Sequence, residues 1–83
     1  MDGLIKAFLY AKEHKYQYIA VKIMTKDNPE PEVIINSYEN FDNKLKYYRN
    51  AYTNDLYLKT CPTISIVDVA YGNDYAEIFH KFN

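Results

Sequence analysis

Apolar positions along the chain change period several times, and each change marks an element. Leu4, Ile5, Phe8, Leu9 and Ala11 recur at helical spacing behind Asp2, a residue able to cap the start. Lys12, His14 and Lys15 put positive charge in the last turn, where it suits the helix dipole. From Tyr16 to Met24 the period becomes two, with Ile19, Val21 and Ile23 on one face and Tyr18, Ala20 and Lys22 on the other. That alternation of β-branched residues predicts a strand. Thr25 to Pro31 carries two prolines and an Asp-Asn pair, which predict a turn. Val33 to Tyr38 resumes extended structure, so the two runs form an antiparallel hairpin with a long tip. Asn40 starts the clearest helix, in which Phe41, Leu45, Tyr48 and Tyr52 share a stripe that ends near Thr53–Asp55. Leu56–Leu58 reads as a short edge strand, Thr63 to Tyr71 as a third full strand, and Gly72-Asn73-Asp74 as a turn into a last helix. That helix carries Tyr75, Ile78, Phe79 and Phe82 on one side.

The order α-β-β-α-(β)-β-α, with one stripe per helix, predicts an α+β fold. It is a two-layer sandwich whose small, mainly antiparallel sheet carries its helices on one face. Residues 1–83 read as a single domain, without repeat, linker or low-complexity segment. If Ile19, Val21 and Ile23 face the helices, Val33 and Ile35 are expected with them, and Asp68 facing water turns Val67 and Val69 inward. The opposite face then carries Tyr18, Ile34, Tyr38, Ile64 and Ile66, an apolar surface of the kind that marks an interaction site. A second copy of the chain or a foreign protein would cover it. In the competing arrangement the last helix, or the segment around Leu56–Leu58, crosses over and makes it ordinary core.

Composition narrows the function classes. A net charge of -1 and a pI near 6.1 argue against a dedicated nucleic-acid coat. One cysteine excludes an internal disulfide. No apolar run approaches the roughly 20 residues needed to cross a bilayer. Met1-Asp2-Gly3-Leu4 shows neither basic leader nor cleavage site, so a cytoplasmic location is expected. Lysine, asparagine and isoleucine abundance fits AT-rich coding, but ten tyrosines in 83 residues exceed that explanation. Tyrosine joins a large apolar ring to a polar tip and is enriched at binding surfaces.

Charge is unevenly placed. Residues 27–42 hold Asp27, Glu30, Glu32, Glu39 and Asp42 with no basic residue, while 1–26 and 43–59 are each net positive. An acidic hairpin arm through Asp27, Glu30 and Glu32 could dock on a basic groove or imitate a phosphate backbone; it could equally be a solvated hairpin kept soluble by charge. Lys44, Lys46, Tyr47 and Arg49 form the best basic-aromatic cluster, the pattern that holds single-stranded nucleic acid.

Chemistry finds little footing. His14, His80 and Cys61 lack metal-ligand spacing, so no metal is expected. Gly3 and Gly72 cannot build a phosphate-cradling loop, and no cofactor is expected. Cys61 would need an activating histidine and an oxyanion site to act as a nucleophile. Asp74 and Glu77 decorate a helix start, where carboxylates stabilise without reacting. A non-enzymatic protein is the expectation.

Ala11-Lys12-Glu13-His14-Lys15-Tyr16 running into Tyr18-Ile19-Ala20-Val21-Lys22, then Ile34-Ile35-Asn36, Phe41-Asp42-Asn43-Lys44-Leu45-Lys46-Tyr47-Tyr48 and Tyr71-Gly72-Asn73-Asp74-Tyr75-Ala76-Glu77-Ile78, together resemble a known group. It comprises small accessory proteins carried by phages and prophages of low-GC Gram-positive bacteria. The resemblance is one of texture, length and element order over most of the chain. It implies an accessory role without catalytic residues, such as the binding and blocking of a host protein practised by anti-CRISPR proteins. Near-neutral charge is less than a committed DNA mimic carries. The expectation is therefore a protein-interaction module, with weak nucleic-acid binding through the Lys44–Arg49 helix as the alternative and a Cys61 enzyme as a distant third.

Overall fold

The computed structural model describes residues 1–82 and places the elements in the predicted order. They are α1 (Asp2–Glu13), β1 (Tyr18–Thr25), β2 (Asn28–Ser37), a 3-10 turn (Tyr38–Asn40), α2 (Phe41–Ala51), β3 (Tyr57–Leu58), β4 (Cys61–Gly72) and α3 (Tyr75–Phe82). The fold is α+β, built on a four-stranded antiparallel sheet of order β2-β1-β4-β3.

Helices α1 and α2 pack on one sheet face, and their stripes interlock there. Leu4, Phe8 and Ala11 of α1 meet Phe41 and Tyr48 of α2 over Ile19, Val21, Ile23 and Ile66. Phe8 is the centre: its ring stands edge-on to Phe41 at 6.1 Å and tilted to Tyr48 at 5.9 Å. Asp2 is not the cap but the first helical residue, and the Met1 ammonium donates to the Asn54 carbonyl at 2.7 Å. At the other end Lys15 adopts φ 55°, Lys15 N–H donates to Lys12 C=O at 3.1 Å, and Tyr16 N–H donates to Ala11 C=O at 3.0 Å. This is a Schellman stop with lysine where glycine is usual.

The hairpin tip is shorter than the sequence predicts. Only Lys26 and Asp27 form the turn, and β2 begins at Asn28. Thr25 pairs with Asn28 and Ile23 with Glu32, so β2 carries two extra residues around Pro29–Pro31. Both prolines are absorbed there because β2 is an edge strand, where a missing N–H breaks no ladder bond.

Side-chain phasing is where the expectation must be corrected. Ile34 pairs with Val21 and lies on the face covered by α1 and α2, whereas Val33 and Ile35 lie on the other. Along β4 the register slips by one residue between the Lys22–Asp68 and Ile23–Ile66 pairs, which makes Val67 a bulge. Parity inverts across it. Ile64 and Ile66 below the bulge and Val69 and Tyr71 above it consequently all face α1 and α2, and Val67 is left half exposed. Ile34, Ile64 and Ile66 are therefore core-facing, not part of an open surface.

The second face is partly closed by α3, the competing arrangement above. Ile78 is fully buried against Ala20 and Ala70, with Tyr18, Val33, Ile35 and Phe82 around them. Asp74 accepts the Glu77 N–H at 2.8 Å, and Glu77 reaches back to the Asn73 N–H at 3.3 Å, a reciprocal cap that starts the helix. Gly72 permits this fold-back, because a Cβ there would meet Glu77 Cδ at 3.0 Å.

Candidate interaction surface

The residues expected to share one open surface are distributed over three regions. Tyr18 is half-buried beneath α3, edge-on to Tyr75 at 5.0 Å. Tyr38 stands at the start of the 3-10 turn, exposed and tilted over Phe41 at 5.3 Å. Ile34, Ile64 and Ile66 serve the main core. Asp27 occupies the hairpin turn, and Glu30 and Glu32 lie exposed along β2. The structure thus keeps Asp27, Glu30 and Glu32 along the hairpin turn and the first part of β2, and separates the apolar residues.

What replaces the expected patch is an apolar strip on the α3 side of the sheet. It comprises Val33 and Ile35, half-buried against Ala20 and Ile78, with Phe82 packed on the same cluster. Helical spacing sets Tyr75 and Phe79 on the same flank of α3 as Phe82, and they are 55 % and 45 % exposed. The opposite flank is occupied otherwise: Glu77 covers Gly72, and Lys81 binds the Tyr71 carbonyl. A pattern search could not find this strip, because it needs strand parity and helix position at once.

The alternative basic cluster is realised as an exposed stretch of α2. Lys44 lies 5.9 Å from the centre of the Tyr47 ring, and Tyr47 leans on Tyr48 at 5.3 Å. Lys46 and Arg49 line a shallow concavity with Asp42, Leu45 and Asn50. Asp42 is already engaged: Lys12 Nζ holds both its oxygens at 2.9 Å, and this pairing raises the Lys12 pKa. Burial raises the phenol pKa of Tyr48 and Tyr52, and for Tyr48 the neighbouring Asn36 side chain partly opposes it.

Cys61 is half-buried with its Sγ 3.2 Å from the Thr63 hydroxyl. His14 stacks on Tyr10 at 3.9 Å, its Nδ1 at 2.9 Å from the Tyr10 carbonyl. Among the described residues no group of three or more Cys, His, Asp or Glu converges as metal ligands would, and no helix is long and apolar enough to cross a membrane. A larger aromatic assembly, missed in sequence, gathers Tyr10, Tyr16 and Tyr71 at one end of the sheet. Lys81 lies over Tyr71 at 4.9 Å and over Tyr16 at 5.8 Å, so the cation these rings would attract is supplied from within the chain. No family model matches the chain, and no curated protein or solved structure matches it either.

Proposed function

We propose that this protein is a non-enzymatic interaction module that acts in the cytoplasm by binding another protein. In the setting its sequence resembles, it is a phage or mobile-element accessory protein that modulates a host protein, including as an anti-defence inhibitor. The observation that carries the reading is the apolar surface on the α3 side of the sheet, where Tyr75 and Phe79 stand half exposed on α3 and Val33 and Ile35 lie half-buried on β2. Aromatic rings on an apolar surface supply large contact area at low entropic cost, which is how interface anchors work.

The test compares affinity capture from a lysate of the encoding host by the wild type and by the double variant Tyr75→Ser with Phe79→Ser. The reading expects a polypeptide retained by the wild type and lost by a variant of unchanged melting temperature. Capture of nothing, or equal capture by both proteins, overturns it. The second reading, nucleic-acid binding by Lys44, Lys46, Tyr47 and Arg49, draws support from the exposed Tyr47 ring beside Lys44. It expects retained nucleic acid whose binding weakens steeply with salt through counterion release.

A further inference from the structure

The two edges of the sheet are treated differently. Tyr38 N–H donates to Gln17 C=O at 2.9 Å in the same register as the pairs Ile19–Asn36 and Val21–Ile34. Even-numbered residues of β2 therefore bond to β1, and Val33, Ile35 and Ser37 turn their N–H and C=O groups to the open side. Pro29 and Pro31, further down the strand, have no N–H to offer. The other edge is protected at several points. β3 covers the lower part of β4, Asp68 Oδ1 accepts the Val69 N–H at 2.8 Å, and Lys81 Nζ donates to the Tyr71 carbonyl. Among the described residues, the outward N–H and C=O groups of Val33, Ile35 and Ser37 have no backbone partner.

This stretch carries the apolar strip of Val33 and Ile35. A strand added to it would hydrogen-bond to Val33, Ile35 and Ser37, and its alternate side chains would extend that strip on the α3 side of the sheet. Its ends would lie near Glu30 and Glu32 on one side and Glu39 on the other, all exposed. A second copy fits poorly. Antiparallel pairing of β2 with itself about Ile35 sets residues 30–32 of one copy opposite residues 38–40 of the other, stacking like charges twice. We propose that β2 accepts an extended, lysine- or arginine-bearing peptide segment of a partner protein as a fifth strand. This inference rests on the reading of the chain as a protein-binding module and narrows it to one edge, one backbone geometry and one charge.

The probe is a synthetic peptide, acetyl-Lys-Val-Thr-Val-Thr-Val-Lys-Lys-amide, with a control in which glutamate replaces every lysine. Titration into isotope-labelled protein should shift the amides of Val33, Ile35 and Ser37 and slow their hydrogen exchange. The glutamate peptide should bind at least about tenfold more weakly. Ile35→Pro removes one outward N–H at a position of the same parity as Pro31 and should also weaken binding at least about tenfold. If that variant does not fold, Phe79→Ser and the pair Glu30→Lys with Glu32→Lys carry the test through exposed positions. Shifts confined to another surface, equal binding of the two peptides, no binding, or binding unchanged in the variants overturns the proposal. So does concentration-dependent dimerisation that itself protects these amides. A host polypeptide captured equally by wild type and Ile35→Pro, but lost with Tyr75→Ser and Phe79→Ser, leaves the module reading standing and removes strand addition alone.

Discussion

Replacing Asn36 and Tyr48 together with apolar residues should stabilise the protein, although each replacement alone should destabilise it. Asn36 is 3 % exposed on the sheet face packed with isoleucine, valine and aromatic rings. Its Nδ2 donates to the Ile19 carbonyl at 3.2 Å, and its Oδ1 has no partner among the described residues. Tyr48, 1 % exposed, lies near enough to the Asn36 side chain for that amide to draw its phenol pKa down against the effect of burial. Asn36→Leu removes the orphaned oxygen but strands the Tyr48 hydroxyl; the two desolvation effects, each about 1–3 kcal/mol, nearly cancel. The lost amide hydrogen bond then leaves a net cost of about 1 kcal/mol. Tyr48→Phe alone also costs about 1 kcal/mol, because the amide loses its polar neighbour and stays buried. In the double variant neither polar group remains, and stability should rise by about 1 kcal/mol over wild type. The coupling is then about 3 kcal/mol, at the upper end for residues in contact. Urea and thermal unfolding of the four proteins, followed by far-UV circular dichroism, measures the cycle. For a domain of this size about 1 kcal/mol moves Tm by about 4–8 °C. A double variant less stable than either single one would refute the reasoning, since the pair would then be fully satisfied and contribute to stability.

Three further outcomes are expected. Changing Asp27, Glu30 and Glu32 together to Ser should leave stability within about 0.5 kcal/mol, because all three are exposed; thermal melting checks this, and unfolding would show the hairpin to be structural. Phe8→Ala, at the junction of α1 and α2, should cost about 3–5 kcal/mol in urea unfolding, and a loss under 1 would mean the core closes around the gap. Folded-state phenol pKa values raised above 10.0 at Tyr48 and Tyr52 mean that the unfolded chain loses those protons first. Their contribution is complete below about pH 10 and declines as pH rises through the folded values, so the urea midpoint should fall above about pH 10, and a flat profile there would contradict the assignment.

Element order is legible in this sequence because each apolar stripe is long enough to declare its period, as Phe41, Leu45, Tyr48 and Tyr52 do for α2. Sidedness is not. Val33, Ile34 and Ile35 are apolar in succession because both faces of β2 have something to pack against, and alternation carries no information in such a run. The bulge at Val67 is equally silent: one unpaired residue inverts the parity of half a strand, and nothing in Ile64-Ser65-Ile66-Val67 announces it. Charge was easier to read, since Glu30 and Glu32 stay on the surface whichever way the strand turns. The exposed flank of α3 lay beyond reach because the side that Tyr75 and Phe79 occupy is defined only once α3 has packed on the sheet. Pro29-Glu30-Pro31 was the one local sign, spelling an edge strand although it reads first as a turn.

Lys81 can also be considered as the residue that sets the valency of the fold. With its ammonium on the Tyr71 carbonyl and Asp68 on the Val69 N–H, the β4 side is partly occupied from within the chain, so among the described residues β2 is the more open edge. A molecule with one open edge terminates whatever it joins: a bound strand ends the sheet, and association stops at a finite complex. Removing the last turn of α3 would expose the Tyr71 carbonyl and make the sheet two-ended. Two-ended sheets can propagate, and the growth of an open-ended assembly is then limited by concentration alone.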